Sequence, residues 1–368
     1  MFLVIYGIVH MKSDVFFIRA DIREGEEKIS QKARRLFKAQ NFSNCFKEGD
    51  FTAVKVHVGE PPNNTYLRSG CIKGLIKELL ALKTKPFLTD TSTLYTGRRH
   101  NAIDHAVLAA EHGFDVTGLG IPFIAPDGLF GTAETAVKID GHLNKEVFIA
   151  SDIVRCQSVL SIAHMTGHIA ACAAATLKTL GMGCTSRKAK MRQHSSIKPQ
   201  VKKNCTACGE CIKHCPADAI TMDKNKARID RDKCIGCAEC LAVCRFDAIK
   251  YDWGAEDKIL QKNIAEHALG VVKGKQGRMA FFNFLISVTD ECDCMDRKNM
   301  PKIVDDIGIL AGRDPVALDK ASIDMVEETG GKTLPELIGR KMLDPRYQIE
   351  HAEKIGLGTA DYKIIEVD

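Results

Sequence analysis

Eight of the fifteen cysteines in the 368-residue chain fall into two short runs that share one spacing. Residues 205–216 read Cys-x2-Cys-x2-Cys-x3-Cys-Pro, and residues 234–244 repeat the four cysteines 29 positions later. The repeat extends to Asp-Ala-Ile at 218–220 and 247–249. Thiolates this close together suit a cubane iron–sulfur cluster, because one tight loop can present three sulfurs to three irons. Paired Cys-x2-Cys units also bind zinc, but zinc gives no reason for the third and fourth cysteines.

Residues 202–251 resemble the bacterial ferredoxins that contain two [4Fe-4S] clusters. In those proteins the fourth cysteine of each run ligates the cluster of the other run. The resemblance therefore implies two clusters with crossed ligands: Cys205, Cys208, Cys211 and Cys244 for the first, and Cys234, Cys237, Cys240 and Cys215 for the second. Arg245 stands where the pattern usually has proline, which bears on local geometry more than on ligation.

The formal net charge of +5 comes from one segment, because residues 185–203 contain seven basic residues and no acidic one. We interpret this segment as a solvated linker or the wall of a channel. We do not expect nucleic acid as a partner, since the segment has no aromatic residue for base stacking. Residues 202–252 contain ten basic and eight acidic residues. This balance predicts electron transfer within the chain, or with an acidic donor or acceptor protein.

Polar side chains also follow the predicted strands at their carboxyl ends, where open α/β sheets bind ligands. The candidate site residues are Lys55, His57, Asp90, Arg98, Asp290, Cys292 and Cys294. Lys55 and Arg98, with the neighbouring Arg99, could hold an anionic small molecule, since arginine offers a bidentate fork to carboxylates and phosphates. The alternative is a solvated basic loop.

The segment Asp290-Glu291-Cys292-Asp293-Cys294 has two thiols two positions apart. This spacing could bind a metal or form a redox pair, or it could be a turn with buried thiols. His164 and His168 would share a helix face, but their sequence favours a strand and a loop, which argues against a metal site. The chain lacks the glycine-rich motifs of dinucleotide and P-loop sites.

The elements that must position these residues alternate between strands and helices, which predicts an α/β fold with a mostly parallel sheet and flanking helices. The predicted strands are 15–20, 51–59, 85–92, 135–140, 146–151, 279–288, 303–310 and 362–367, and residues 158–168 are predicted as a buried strand that leads into a loop. The predicted helices are 27–40, 68–82, 101–112, 171–180, 258–272 and 315–327. We expect a first α/β part at 11–200, a small α+β dicluster insert at 201–252, and a second α/β part at 253–368. Two α/β lobes flanking the insert are the alternative.

The composition, with 45% hydrophobic and 27% charged residues, is that of a globular protein. No stretch approaches the roughly 20 apolar residues that cross a bilayer. The first ten residues make a poor signal peptide, because they lack a basic start and a cleavage site. We therefore expect a cytoplasmic protein whose translation starts at Met1 or Met11.

Five segments together resemble a family of unknown function, the domain of unknown function 362 group, in the subset with a ferredoxin insert. They are VKVHVGE (54–60), TDTSTLYTGRR (89–99), LGMGCTSRKAKMRQHS (180–195), TDECDC (289–294) and DIGILAGRDPVALD (306–319). The resemblance implies an α/β protein with two [4Fe-4S] clusters and supplies no reaction.

The first functional hypothesis is an iron–sulfur protein, and so a candidate oxidoreductase, that transfers electrons to or from a small molecule bound by the α/β part. The second is a non-enzymatic electron-transfer or cluster-delivery protein that docks a partner. The third is a non-redox ligand-binding protein in which the clusters are structural. The sequence does not identify the substrate, the direction of electron flow or the oligomeric state.

Overall fold

The computed structural model describes residues 12–194, 199–234, 239–250 and 257–368. The strands are β1 (Ser13–Arg19), β2 (Phe51–Lys55), β3 (Lys85–Thr89), β4 (Glu134–Lys138), β5 (Glu146–Ala150), β6 (Ser158–His164), β7 (Thr166–His168), β8 (Cys172–Ala174), β9 (Gln200–Val201), β10 (Ile220–Asp223), β11 (Lys226–Ile229), β12 (Ile249–Lys250), β13 (Met279–Leu285), β14 (Gly308–Gly312) and β15 (Tyr362–Glu366).

The α-helices are α1 (Glu26–Ala39), α2 (Lys73–Ala81), α3 (Ala102–Glu111), α4 (Val116–Leu119), α5 (Ser151–Arg155), α6 (Thr176–Gly181), α7 (Arg187–Gln193), α8 (Glu210–Lys213), α9 (Glu239–Ala242), α10 (Asp257–Val272), α11 (Pro315–Gly330), α12 (Leu334–Leu337) and α13 (Arg346–Lys354). Short 3-10 turns lie at Ile22–Glu24, Phe42–Cys45 and Ser69–Ile72. No helix in the described ranges is long and apolar enough to cross a membrane.

A seven-stranded sheet of order β15-β1-β14-β13-β6-β2-β3 forms the centre of the protein. Four of its neighbouring pairs are parallel, and only β14 runs against its two neighbours. Strands from both sides of the cysteine segment therefore join one sheet. The predicted α/β class, with a mostly parallel sheet and flanking helices, is confirmed.

Each face of the sheet is covered by an apolar core. The central strands β6 and β13 are buried along their whole length, as expected for strands with helices on both faces. On one face α1 packs with Ile29, Ala33, Leu36 and Phe37, the stripe that its sequence predicts. On the other face α6, α10 and α11 pack together.

Two predicted elements are wrong in part, because contacts from distant residues set their bounds. The alanine-rich helix begins only at Thr176, where the Asp319 carboxylate accepts hydrogen bonds from the Thr176 and Leu177 amides at 2.8 and 2.7 Å. The preceding Cys172–Ala174 is strand β8 instead. The strand predicted at 303–310 starts at Gly308, since the Asp306 carboxylate binds the Ser287 amide at 2.7 Å and fixes a loop there.

The cysteine segment is a small unit with two strand pairs, β9 with β12 and β10 with β11, and two short helices, α8 and α9. Its apolar centre contains Cys211 and Cys240. The internal repeat is visible in the backbone, because Asp218 and Asp247 adopt the left-handed conformation with φ of 47° and 48°. The two halves therefore share their turns as well as their spacing.

Candidate functional site

The thiols of Cys292 and Cys294 face each other in a turn that follows β13. The Met295 amide donates a hydrogen bond to the Cys292 carbonyl at 3.0 Å and closes the turn. The Cys292 thiol donates to the Cys294 sulfur over an Sγ–Sγ distance of 2.8 Å. Lys178 on α6 places its Nζ 3.4 Å from the Cys294 Sγ. The arrangement is a thiol, a thiolate and an ammonium group in contact.

The electrostatics of this group favour a charge on Cys294. The hydrogen bond from Cys292 and the charge of Lys178 hold the pKa of Cys294 well below its usual value, although burial opposes them. The hydrogen bond to Cys294 and burial raise the pKa of Cys292 well above its usual value. Burial by itself lowers the pKa of Lys178, but the two cysteines raise it above the ordinary value. Cys294 is therefore the thiolate, and Cys292 remains a thiol.

An ion pair fixes the middle of the turn. The Asp293 carboxylate lies 2.9 Å from the Nδ1 of His164, and the Nε2 of His164 lies 2.8 Å from the Ile286 carbonyl. Burial lowers the pKa of His164 by itself, but Asp293 raises it above the ordinary value overall. Burial likewise raises the pKa of Asp293, but the charge of His164 lowers it overall. Both residues are therefore charged, and the His164 ring is positioned at both nitrogens.

Two further hydrogen bonds connect this turn to the loops after β2 and β3. The Glu60 amide donates to the Asp293 carbonyl at 3.0 Å. The Tyr95 hydroxyl donates to the Cys294 carbonyl at 3.1 Å. Three loops at the carboxyl ends of the strands thus meet at the cysteine pair, as expected for an α/β sheet.

A second buried network surrounds Asp90. Its carboxylate lies 2.9 Å from the Lys55 Nζ, 3.2 Å from Arg99 and 3.6 Å from His105. Arg99 also binds the Glu60 carboxylate at 2.8 Å. Burial by itself raises the pKa of Asp90, but the charge of Lys55 and the contact with His105 hold it well below its usual value. Lys55 and Arg99, predicted to hold an anion, are thus engaged in internal ion pairs.

The other predicted residues divide between this site and the surface. His57 accepts a hydrogen bond at Nδ1 from the Gly59 amide at 3.0 Å. Its Nε2 is buried, and the ring lies beside Cys294, where it helps to lower the pKa of that thiol. Arg98 instead points outward to Glu111. Asp290 is paired with Arg297, so Arg98 and Asp290 lie outside the cluster.

Sequence reasoning did not single out Lys178, Tyr95, Glu60 or His105. The signal for Lys178 was present, since it is the one charged residue in the alanine-rich segment 171–180. A lysine in an otherwise apolar helix is buried only when it has a partner. Nothing in the sequence singles out Tyr95 in this way, because its hydrogen bond to the Cys294 carbonyl depends on the path of its loop.

Over Arg187–Gln193 the basic segment is helix α7 and not a solvated linker, and near its other end Gln200–Val201 is strand β9. Ser186 caps α7 by accepting a hydrogen bond from the Ala189 amide at 3.1 Å. Arg187 is 2% exposed and Lys190 is 7% exposed. Lys190 donates to the Thr91 hydroxyl at 2.6 Å, and burial lowers its pKa to about 8. Helix α7 therefore packs against the loop that carries Asp90. Residues 195–198 lie outside the described chain.

A cavity in the cysteine segment is lined by thiols from both runs. Cys205, Cys208 and Cys211 line it together with Cys244 of the second run. In the described ranges, no three His, Cys, Asp or Glu side chains converge on a site for one metal ion. A cubane binds each thiolate at a different iron, so the sulfurs of its ligands need not converge on one point. Cys237 lies outside the described residues.

The cysteine segment contacts the α/β part beside Tyr95. Leu241 of α9 packs on Leu94, together with Met191 of α7. The Thr96 hydroxyl donates to the Asp247 carboxylate at 2.7 Å. Tyr95 lies between these two contacts, and it is hydrogen-bonded to the Cys294 carbonyl. Residues 94–96, which we call the bridging loop, therefore contact both cysteine-containing sites.

The chain is an α/β protein with a buried polar site at the carboxyl ends of its strands. It belongs to the family described as Domain of unknown function (DUF362), which matches residues 52–324. No curated protein matches the chain.

Two solved structures show a distant similarity to the chain. The lactate racemase apoprotein from Thermoanaerobacterium thermosaccharolyticum is 10% identical with a TM-score of 0.43, over 87% of this chain and 58% of that chain. A Thermotoga maritima protein solved by a structural genomics consortium is 14% identical with a TM-score of 0.43, over 84% of this chain and 59% of that chain. The chain thus spans less than two thirds of either protein, and these distant similarities assign no residue a role.

Proposed function

We propose that the chain is an iron–sulfur protein that transfers electrons between a partner protein and the buried site at Cys292 and Cys294, where a small molecule would react. The observation that supports this most directly is the bridging loop. On one side this loop contacts Leu241 of α9, which lies within the second run of cysteines. On the other side it contacts the turn that bears the thiol pair. One loop is thus shared by the proposed electron carrier and the proposed acceptor.

The donor set of the cysteine segment fits two [4Fe-4S] clusters, which supply one-electron transfer when bound. Cys205, Cys208, Cys211 and Cys244 would hold the first, and Cys234, Cys237, Cys240 and Cys215 the second. The fit rests on the cavity, where three thiols of one run meet the fourth thiol of the other. A pair of separate zinc sites, one for each run, gives no reason for that exchange.

Backbone amides support the two crossing cysteines in the same way. The Ala219 amide donates to the Cys215 Sγ at 3.3 Å, and the Ala248 amide donates to the Cys244 Sγ at 3.3 Å. Hydrogen bonds to thiolates are among the factors that set the potential of a bound cluster. The left-handed conformation of Asp218 and Asp247 positions these amides, so the repeat preserves the surroundings of the sulfurs.

In the α/β part, neighbouring residues hold and orient the cysteine pair, which is the proposed electron acceptor. Tyr95 remains a neutral donor, because burial keeps its pKa well above the usual value although the charge of Arg99 opposes this. Arg99 donates to the Tyr95 hydroxyl, which leaves the phenol proton for the Cys294 carbonyl. Lys178 compensates the thiolate. The site therefore has a fixed backbone and a stabilised negative charge at Cys294.

The test is anaerobic purification of the full chain, followed by iron, sulfide and zinc analysis and EPR after reduction. We expect iron and sulfide in the amounts that two cubanes require, with two interacting reduced clusters in the EPR spectrum. Cys211→Ser should lose one cluster. Cys45→Ser, which changes a buried core cysteine, is the matched control and should retain both.

Three results would contradict the proposal. The first is zinc in place of iron. The second is clusters that cannot be reduced without unfolding of the protein, which favours the structural alternative. The third is reduced protein that transfers its clusters intact to an apoprotein but passes electrons to no acceptor, which favours cluster delivery.

A further inference from the structure

We infer that Cys292 and Cys294 are a redox-active dithiol that closes to a disulfide when it gives up two electrons. The reduced pair would hold the two electrons that reduce a small disulfide substrate. This inference rests on the proposed function only for the source of the electrons. The chemistry of the pair itself depends on the geometry of the turn.

The turn holds the two sulfurs in position to bond. The Sγ atoms lie 2.8 Å apart, and the i to i+3 hydrogen bond between Met295 and Cys292 keeps the two cysteines on one side of the turn. Cys292 and Cys294 are two residues apart, so the reach of the chain keeps their Cα atoms within about 7 Å of each other, and disulfides span about 4.4 to 6.8 Å. The carbonyls of Cys292, Asp293 and Cys294 all accept hydrogen bonds, so oxidation requires little backbone movement.

The two thiols differ in the way that thiol–disulfide exchange requires. Cys294 is half-buried, whereas Cys292 is buried. Cys294 is also the sulfur that Lys178 contacts. The attacking group in exchange is a thiolate with access to its substrate, which assigns attack to Cys294. Cys292 lies behind it and resolves the mixed disulfide. Because much of the Cys294 side chain is covered by the protein, we expect the substrate to be a small molecule.

Other buried cysteines of the chain lack these features. Burial raises the pKa of Cys71, of Cys172 and of Cys184 to about 12. They therefore stay as protonated thiols and serve as apolar packing groups. Stabilisation of a thiolate at Cys294 is thus not a general property of the interior.

The electrons balance over one cycle. The Cys292–Cys294 disulfide takes up two electrons and one proton, and its sulfur–sulfur bond breaks to give the Cys292 thiol and the Cys294 thiolate. A second proton, from water, protonates the substrate thiolate that is released in the next step. Two clusters that each deliver one electron supply that pair. The Cys294 thiolate then attacks a substrate disulfide and releases one substrate thiol. Cys292 attacks the mixed disulfide at Cys294, which releases the second substrate thiol and restores the internal disulfide.

Tryptic mapping tests the pair directly on the full chain. Residues 279–297 form one tryptic peptide, since Arg278 and Arg297 bound it and it contains no other Lys or Arg. Cys292 and Cys294 are its two cysteines. The protein is equilibrated with mixtures of reduced and oxidised dithiothreitol, denatured and alkylated. We expect the peptide to change reversibly between a doubly alkylated form and an unalkylated form two hydrogens lighter. Double alkylation across the whole series would overturn the inference.

Two lysine variants separate the role of the site from general effects on the fold. Lys178→Gln removes the charge beside Cys294 and should slow its alkylation in the native reduced protein by up to about tenfold, the full factor being reached at a pH below the pKa of Cys294 in both proteins, as for a rise of one pKa unit. Lys275→Gln is the matched control, because Lys275 is buried and donates to the Val154 carbonyl outside the site. Equal slowing in both variants would contradict the assignment of Lys178.

The same samples distinguish the two proposals. A reversible disulfide in a protein that shows no cluster EPR signal supports the thiol pair and refutes the proposed function. Cluster signals together with permanently reduced thiols support the proposed function and overturn the inference.

Discussion

Replacing His164 tests whether the ion pair with Asp293 supports the cysteine turn. His164→Leu keeps a side chain of similar bulk but leaves the Asp293 carboxylate buried without its partner. Asp293 is 4% exposed, so water cannot replace the lost contact. Removing one member of a buried pair costs about 3–5 kcal/mol. We expect the free energy of unfolding to fall by that amount.

The double variant His164→Leu/Asp293→Asn separates charge from packing. It removes the stranded carboxylate, so it should be more stable than His164→Leu alone by about 1–3 kcal/mol, the cost of an unsatisfied buried polar group. Asp293→Asn alone should cost about 1 kcal/mol, because a neutral imidazole can still form a hydrogen bond with the amide.

Urea unfolding followed by circular dichroism measures all four proteins, with a common slope as the check for two-state behaviour. A His164→Leu variant within 1 kcal/mol of the unmodified chain would refute the reasoning. So would a double variant less stable than His164→Leu, because relief of the stranded charge is the reason for the expected rescue.

Further predictions concern pH and the bridging loop. The pKa of Asp293 is lowered in the folded protein, so its contribution to stability is lost as pH falls through the folded pKa. The pKa of His164 is raised in the folded protein, so its contribution to stability is lost as pH rises through the folded pKa. The difference in free energy of unfolding between the unmodified chain and the double variant should thus be largest between about pH 4 and 6.5, the pKa values of Asp and His in the unfolded chain. A difference that does not change with pH in urea unfolding would contradict this. Leu94→Ala should cost about 2–5 kcal/mol, and in flash photolysis it should slow electron transfer from the proposed cluster beside α9 to the thiol pair. Tyr95→Phe should cost about 1 kcal/mol by thermal unfolding and leave the cluster content unchanged.

Short-range patterns predicted most strands of the sheet, although β2, β3 and β13 end three or four residues earlier than predicted. The apolar runs of β6 and β13 and the stripe of α1 specify their environments through local periodicity. The start of α6 does not follow from such a pattern, because the cap comes from Asp319 on α11, more than a hundred residues later in the chain. Tertiary caps of this kind are invisible to a local reading.

The candidate site shows the same division. The sequence indicated the two cysteines of the turn, since their spacing is itself chemical information. It did not distinguish Arg98 from Arg99, because adjacent loop residues point in opposite directions and no periodicity decides which one is buried. The position of Lys178 depends on the packing of α6 against the turn, which is a tertiary contact.

The prediction for the basic segment rested on its charge alone, and charge does not show which side chains are buried. Seven cations without an acid suggested a solvated linker or the wall of a channel, but Arg187 and Lys190 lie inward because acceptors on other elements bind them. Lys190 reaches the Thr91 hydroxyl at 2.6 Å, and Arg187 reaches the His100 carbonyl. The acceptors lie on the loops after β3, far away in sequence.

The lifetime of the reduced-cluster EPR signal tests most directly whether the clusters pass electrons to the cysteine pair. The clusters are photoreduced anaerobically in protein whose Cys292 and Cys294 have been oxidised to the disulfide. We predict that the signal decays as thiols appear in the 279–297 peptide, and that it persists in Cys294→Ser, which cannot form the disulfide. Equal lifetimes in the two proteins, with no new thiols, would contradict the account.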